Sequence, residues 1–468
     1  MSIDVIIVLA YLALMIGCGF YSMKRASGST SEYLVAGRRL PFWIFFPCLA
    51  AVILGGGSTF GSASKAYQYG LSGAWPTLMF GLGVVMIGLF LATRIARLKV
   101  YTLSEMLERR YAHGTRYVSA VISAFYTMMI AVVQIVALGT VLKALLGWEL
   151  NTAIIVGGLI TMVYTMMGGM IAITITDVIQ FVLMSIGIMI LIPSGVTQVG
   201  GWDQLVAQVP PEFLTMTNVS GERMLAYFLL LFLGIMIGQE IWQRMFTAST
   251  QEVARKGSIA AGVFSIFWGL SMGVCGILAY VLLPGLDNAA EALPRLVIEV
   301  LPVGLSGIVL AALMSALMST VDSTVLGAAT LVTNDLLRPM LGLDDEAEMK
   351  ASRYATGVIS LIVIALGVWV GDVWTALDTA YAYLSGCIFI PVMAAFFWPK
   401  ANWQGALASI VISALVVSVT IYFTSVSSLD PIMYGMLSGL VSIVVVSLMA
   451  GSPAEEDMAQ WAEANQNN

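Results

Sequence analysis

The chain has 468 residues, 59% of them hydrophobic and 10% charged. Soluble proteins carry about 25% charged residues, so this composition excludes an ordinary soluble domain and marks a polytopic membrane protein that lives in a lipid bilayer. The net charge of −6 belongs to loops and tail and offers no basic surface, so no nucleic-acid partner is expected.

A window of about 19–20 residues finds roughly thirteen spans. The leading one, 3–22, is too long and too weakly basic at its start for a cleaved signal peptide and reads as a retained membrane helix. A core of ten follows near 43–66, 73–93, 117–146, 151–167, 172–195, 223–243, 257–284, 302–331, 354–371 and 373–397. Two trailing spans lie near 403–424 and 430–450. Cys18, Cys48, Cys275 and Cys387 all fall in apolar stretches and read as small buried hydrophobes, not disulfides or metal ligands. His113 sits in a charged loop and is given no role.

Orientation follows from Lys and Arg. Lys24, Arg25, Arg38 and Arg39 follow the leading span, and Arg94, Arg97, Lys99, Arg109, Arg110 and Arg116 follow the second core span. Arg244, Arg255 and Lys256 follow the sixth, Arg338, Lys350 and Arg353 the eighth, and Lys400 the tenth. Alternating spans put these on one side, the cytoplasm, with only Lys65, Lys143, Arg223 and Arg295 towards the other. The expected protein is thus a multi-pass cell (inner) membrane protein with its N-terminus outside. The acidic tail around Glu455, Glu456 and Asp457 is then cytoplasmic, and too short for a signalling domain. The outer loop 196–222 is expected to be partly structured, and ALPRLVIEVL within 285–301 to form an amphipathic lid helix.

The first core span contains the stretch AVILGGGSTFGSAS, residues 51–64. Glycine costs a helix about 1 kcal/mol per residue relative to alanine. Gly55, Gly56 and Gly57 in succession, followed by Ser58 and Thr59, predict a helix broken in mid-membrane. Such backbone survives only where it is buried in protein or lines a wet cavity, with carbonyls free for a cation and N–H groups free for a polar solute. The other reading is a close-packed small-residue interface. Five spans later, LGIMIGQEIWQR carries Gly234 and Gly238. Interrupted spans at matching places in two five-helix halves point to an inverted repeat around a central site. The halves are 43–195 and 223–397, after a leading segment 1–42 and before the trailing segment 398–452 and tail 453–468.

The eighth core span, ALMSALMSTVDSTVLGAA, puts Ala316, Ser319, Thr320 and Ser323 on one helix face, with Asp322 three after Ser319. Hydroxyls and a carboxylate suit a hard cation such as Na⁺; alternatively the hydroxyls bond their own helix or pack against a neighbour. A carboxylate at the bilayer centre costs roughly 3 kcal/mol or more and is functional by default. Asp177, in the fifth core span, either pairs with a cation near Asp322 or is solvated nearer the cytoplasm. No Lys or Arg in the spans is placed to neutralise both acids, which favours an inorganic ion.

The run YTMMGGMIAITITDVIQ, residues 164–180, resembles the signature of the sodium:solute symporter family. SALMSTVDS at 315–323 resembles that family's sodium-binding helix, and WQRMF at 242–246 and FFWPKANWQGA at 396–406 also match its patterns. The resemblance covers nearly the whole chain. It implies an all-α polytopic membrane protein with the leucine-transporter fold, two inverted five-helix repeats and alternating access. Carried over by position, one sodium site uses the carbonyls of Ala51, Leu54 and Ala316 and the hydroxyls of Ser319 and Thr320. A second, present in some members, would involve Asp177, Ser319, Asp322 and Ser323. Asp322 stands where other members have serine, and can tighten that site or admit a proton.

By the same fold, the solute sits between the broken first and sixth helices, flanked by the third and tenth. That nominates Ile53, Gly55, Ser58, Gln134, Gly238, Gln239, Tyr381 and Tyr383. Gln134 has the alternative of joining two helices by a hydrogen bond, and the tyrosines of belonging to an interfacial belt. Glu240 meets a cationic group or faces cytoplasmic water near Arg244. GGGSTFGSASKAY resembles the choline-transporter branch, but Ile53, Ile130 and Gly238 replace its aromatic cage. An amino acid, another amine or a carboxylate fits equally. The reading is Na⁺-coupled symport of a small organic solute. A proton-coupled transporter and a non-transporting sensor are the alternatives. No nucleophile–base pair, metal cluster or nucleotide loop suggests an enzyme, and oligomeric state is not legible.

Overall fold

The computed structural model describes residues 2–23, 30–111, 113–453, 458 and 461. Lys24 and Arg25, and the acidic Glu455, Glu456 and Asp457, lie outside the described residues. Among the described residues the regular elements are helices, with one isolated parallel bridge between Leu40 and Ala248. Among the described residues ten helical stretches are long and apolar enough to cross a membrane, and Ile3–Cys18, Phe42–Ile53 and Leu150–Val163 are shorter apolar helices.

In chain order, α1 is Ile3–Met23, α2 Phe42–Ile53 and α3 Ser62–Tyr69. α4, Trp75–Met86, runs on through a π-helical turn to Arg97. α5 is His113–Leu146 and α6 is Leu150–Val199. α7, Gly221–Tyr227, extends through a π-helical turn to Ile235, and α8 is Gln239–Met245. Then come α9 Gln251–Leu282, α10 Ala292–Val300 and α11 Leu305–Thr330. The chain closes with α12 Asp345–Val370, α13 Val373–Phe397, α14 Trp403–Phe423 and α15 Asp430–Ala450.

The three interruptions of the core spans have local causes. The expected first core span stops at Ile53, bends through Leu54 and Gly55, and resumes as a π-helical turn, Gly57–Gly61, that leads into α3. The fourth and fifth core spans are one helical run, α6, cut at Gly169, whose φ of 56° and ψ of −162° are reachable only by glycine. The sixth breaks between Ile235 and Gln239, with Gly238 at φ −61° and ψ 129°.

Burial sorts the helices. The apolar window of α11 is 94% buried, whereas those of α14, α12 and α15 are 28%, 33% and 33% buried. So α11 is the central post, packed against α2, α5, α6 and α1, and the two trailing helices lie at the periphery. Sequence patterning anticipates two of the connecting segments. Loop 196–222 carries a short helix, Trp202–Ala207, and a turn at Pro211–Leu214. α10 buries Leu293, Leu296 and Val297 over α9 and α11 while Ile298 stays exposed.

Candidate functional site

A broken helix leaves backbone carbonyls without intrahelical partners. At the end of α2 each is met by a hydroxyl. Ser319 Oγ donates to Ala51 O at 3.1 Å or to Ala316 O at 3.0 Å. Thr320 Oγ1 donates to Val52 O at 3.1 Å or to Ala316 O at 3.3 Å. Ser58 Oγ reaches Ile53 O at 2.5 Å, and Thr59 Oγ1 reaches Leu54 O at 2.7 Å. The amide of Gly56 donates to Gln134 Oε1, while Gln134 Nε2 donates to Ile130 O at 3.2 Å.

Ala51, Ala316, Ser319 and Thr320 therefore meet in one buried cluster of carbonyl and hydroxyl oxygens. The Leu54 carbonyl instead faces Thr59, and Val52 joins the cluster without having been nominated. A hydroxyl shares its one proton between two carbonyls here, so a hard cation can take that proton's place and use the hydroxyl oxygen as a further ligand.

The second set of nominated ligands does not converge on one point. Asp177 Oδ2 lies 2.6 Å from Arg244 Nη2, with side chains 0% and 1% exposed. The same nitrogen is 2.5 Å from Ser323 Oγ. Ser323 donates to Ser319 O at 2.7 Å. Asp322 is turned to α6, where Thr165 Oγ1 donates to its Oδ1 at 2.9 Å. Two expectations are corrected. Asp177 is neither solvated nor beside Asp322 but paired with Arg244, and Arg244 is not a loop cation. The reason is packing: α8 is buried between α2 and α11 along its whole length, so Arg244 points inward to the nearest carboxylate.

A small cavity of about 30 Å³ lies against the break in α2. Ile53, Gly55, Ser58, Gln134 and Tyr381 line it, as do Phe80, Glu240 and Thr320. One water takes roughly 10–15 Å³ on this measure, so the cavity is closed to any organic solute in this conformation. A wider vestibule of about 340 Å³ lies beyond it, lined by Phe60, Lys65, Asp372 and Trp374 among others. Between the two, Leu377 packs on Gly57 and Trp374 on Gly61, where added Cβ atoms would come within 3.1 and 3.2 Å of them.

Three nominees have other surroundings. Gly238 forms the break before α8 and lies beside Glu240, whose Oε1 would be 2.7 Å from a Cβ there. Gln239 is not in the cavity: its Oε1 accepts from Leu103 N at 2.9 Å and its Nε2 donates to Tyr101 O at 3.3 Å. Tyr383 faces away to α14, its hydroxyl 2.8 Å from Ser418 Oγ. Conversely, Glu240 is 4% exposed and accepts from Tyr126 Oη at 2.8 Å, so it does not face cytoplasmic water. Tyr126 and Phe80 were not nominated. Nothing in their local sequence separates them from other aromatics in apolar spans.

The family model described as the sodium:solute symporter family matches residues 33–413. A sodium/glucose cotransporter of Vibrio parahaemolyticus is 26% identical over 95% of this chain and 90% of its own length. A sodium/pantothenate symporter of Haemophilus influenzae is 26% identical over 88% of this chain and 89% of its own. Sodium/proline symporter 2 of Staphylococcus saprophyticus is 24% identical over 94% and 91%. In structure, the chain is similar to a Na⁺-coupled sialic acid symporter in a substrate-bound outward-open state, with a TM-score of 0.84 at 20% identity over 97% of this chain and 99% of that one. The broken helices, the oxygen cluster and the family match lead to one conclusion: the chain belongs to the sodium:solute symporter family, and it is a membrane-embedded Na⁺-coupled solute symporter with the leucine-transporter fold.

Proposed function

We propose that a single Na⁺ binds between the end of α2 and the middle of α11. Its ligands are the carbonyls of Ala51, Leu54 and Ala316 and the hydroxyls of Ser319 and Thr320. The solute occupies the cavity against the same break, among Ile53, Gly55, Ser58, Gln134 and Tyr381. The observation that carries this is the pair of hydroxyls on α11 held 3.1 Å from the carbonyls of Ala51 and Val52, at the point where α2 unwinds. To bring Leu54 O in, Thr59 releases it. Asp177 and Ser323 already hold Arg244, so the second cation is the protein's own and one Na⁺ moves per solute.

Na⁺ in this position ties the broken helix to α11 and shapes the cavity wall. By linkage, solute raises Na⁺ affinity by the factor that Na⁺ raises solute affinity. One charge moving through 100 mV supplies about 2.3 kcal/mol, and a tenfold gradient about 1.4 kcal/mol. Access alternates as Leu377 and Trp374 leave Gly57 and Gly61 on the vestibule side, and as the contacts of Gln239 and Arg38 with residues 100–103 loosen on the other. In this reading, which the Lys and Arg distribution supports, the vestibule, the N-terminus and Lys143 lie outside and the tail lies in the cytoplasm. The breaks at Gly55 and Gly238 mark the matching first helices of repeats 43–195 and 223–397.

The test is thermal unfolding of the purified protein in Na⁺ and in K⁺ at equal ionic strength. A ligand at 100 times its Kd stabilises the folded state by about 2.7 kcal/mol, so Na⁺ raises the midpoint in a saturable way and K⁺ does not. Equal midpoints at every concentration would refute the site.

A further inference from the structure

We infer that the transported solute is a small organic cation of the ammonium type, and that Glu240 is its counter-ion. This rests on the reading that the cavity beside α2 holds the solute.

Glu240 lies at the start of α8, just past the break that follows Ile235. Its residue is 4% exposed and it lines the cavity. Oε1 accepts from Tyr126 Oη at 2.8 Å, whereas Oε2 is buried with no hydrogen-bond partner. A carboxylate buried in a membrane span is costly unless it is paired. Arg244, one turn along α8, has its Nη2 within 2.6 Å of Asp177 and 2.5 Å of Ser323. The cavity lining contains no Lys, Arg or His among the described residues. Glu240 therefore presents a buried carboxyl oxygen without a hydrogen-bond partner to the cavity, and a cation from outside the chain would hold that carboxyl ionised.

The rest of the lining suits the same ligand. Phe80 and Tyr381 both face the cavity, their rings 5.6 Å apart, and Tyr126 stacks edge-on to Tyr381 at 5.3 Å. Aromatic faces attract a desolvated cation. For a carboxylate the lining offers only neutral donors, such as the hydroxyls of Ser58 and Thr320, and the Gly56 amide is already held by Gln134 Oε1. A zwitterion would find no cationic side chain for its carboxylate in the lining, and an anion would face Glu240. A monocation satisfies the buried charge and leaves nothing over.

The full-length protein is tested by thermal unfolding with four cations (methylammonium, tetramethylammonium, ethanolamine and choline), two zwitterions (glycine and proline), two anions (lactate and pantothenate) and glucose, in Na⁺ and in K⁺. At least one cation raises the midpoint in Na⁺, and the anions do not. Glu240→Gln weakens the apparent affinity for that cation by about 30-fold or more, and Glu240→Asp restores most of it. The saturable Na⁺ shift of each variant reports that it is folded. The inference is overturned if all four cations are silent, if only zwitterions, anions or glucose bind, or if Glu240→Gln binds the cation as wild type does. A cation that binds wild type equally in Na⁺ and K⁺, with no Na⁺ shift, would instead sink the sodium-coupled reading of the site and leave the charge selectivity standing.

Discussion

Arg244 Nη2 and Asp177 Oδ2 are 2.6 Å apart, with side chains 1% and 0% exposed, at the junction of α8, α6 and α11. The pair sits where the carboxylate and Ser323 would otherwise receive an inorganic ion. A tethered guanidinium has no entropy of capture to overcome and is indifferent to the external salt, so it neutralises Asp177 whether or not Na⁺ is present.

Breaking this pair from one side strands the other charge. Asp177→Asn and Arg244→Gln are each expected to destabilise the protein by about 3–5 kcal/mol. The double variant recovers much of the loss, because neither charge remains. Thermal unfolding of the four proteins in a double-mutant cycle reads the coupling directly. The Na⁺-to-solute ratio of Asp177→Asn, measured as tracer Na⁺ flux against tracer solute flux in proteoliposomes, stays at the wild-type value. A fall in that ratio would return Asp177 to the ion path.

Thr320 Oγ1 meets both Val52 O and Ala316 O. Removing the hydroxyl takes one oxygen from the proposed sodium site and leaves the helix backbone intact. Thr320→Ala is expected to raise the Na⁺ concentration for half-maximal uptake about three- to tenfold, with most of the maximal rate recovered at high Na⁺. Thr165→Ala, which touches Asp322 and not this cluster, is the control. Uptake by Thr320→Ala that follows the wild-type Na⁺ curve would show the site to be elsewhere.

Acid sensitivity is expected at the ion-pair cluster around Glu291. Glu291 accepts from Lys143 Nζ at 2.7 Å and from Arg295 Nε at 2.6 Å. Burial pushes its carboxyl up, but the bonds and charges of Lys143 and Arg295 outweigh this and hold it below the ordinary value of 4.5. A depressed folded-state pKa contributes stability that is fully present above the unfolded value and lost as pH falls through the folded one. Glu291→Gln is thus less stable than wild type at pH 7, and the gap closes as pH drops below 4.5. Unfolding midpoints of both proteins from pH 7 down to 3 measure it. A gap that stays constant over that range would remove Glu291 from the acid response.

Much was legible before any fold was known. Span positions, the break at Gly55, the second break near Gly238, the amphipathic helix α10 and the hydroxyl stripe of α11 all follow from local composition. Apolar length, glycine runs and hydroxyl spacing act within one or two turns of a helix, so a linear reading captures them. Even the cut in α6 at Gly169 shows as a gap between the spans 151–167 and 172–195.

The direction of each polar side chain was decided only by tertiary packing. Adjacent residues on a helix point about 100° apart, and in helices buried on every side no solvent-facing stripe sets the phase. Gln239 and Glu240 are neighbours, yet one binds Tyr101 and Leu103 while the other lines the cavity. Asp322 and Ser323 are neighbours, yet one meets Thr165 and the other Arg244. The sequence by itself determined a membrane transporter of this family with a broken helix facing an oxygen-rich one. Which charge neutralises Asp177, and which carboxylate faces the cavity, were determined by how α8 is wedged between α2 and α11, because only that contact brings together residues far apart in the chain.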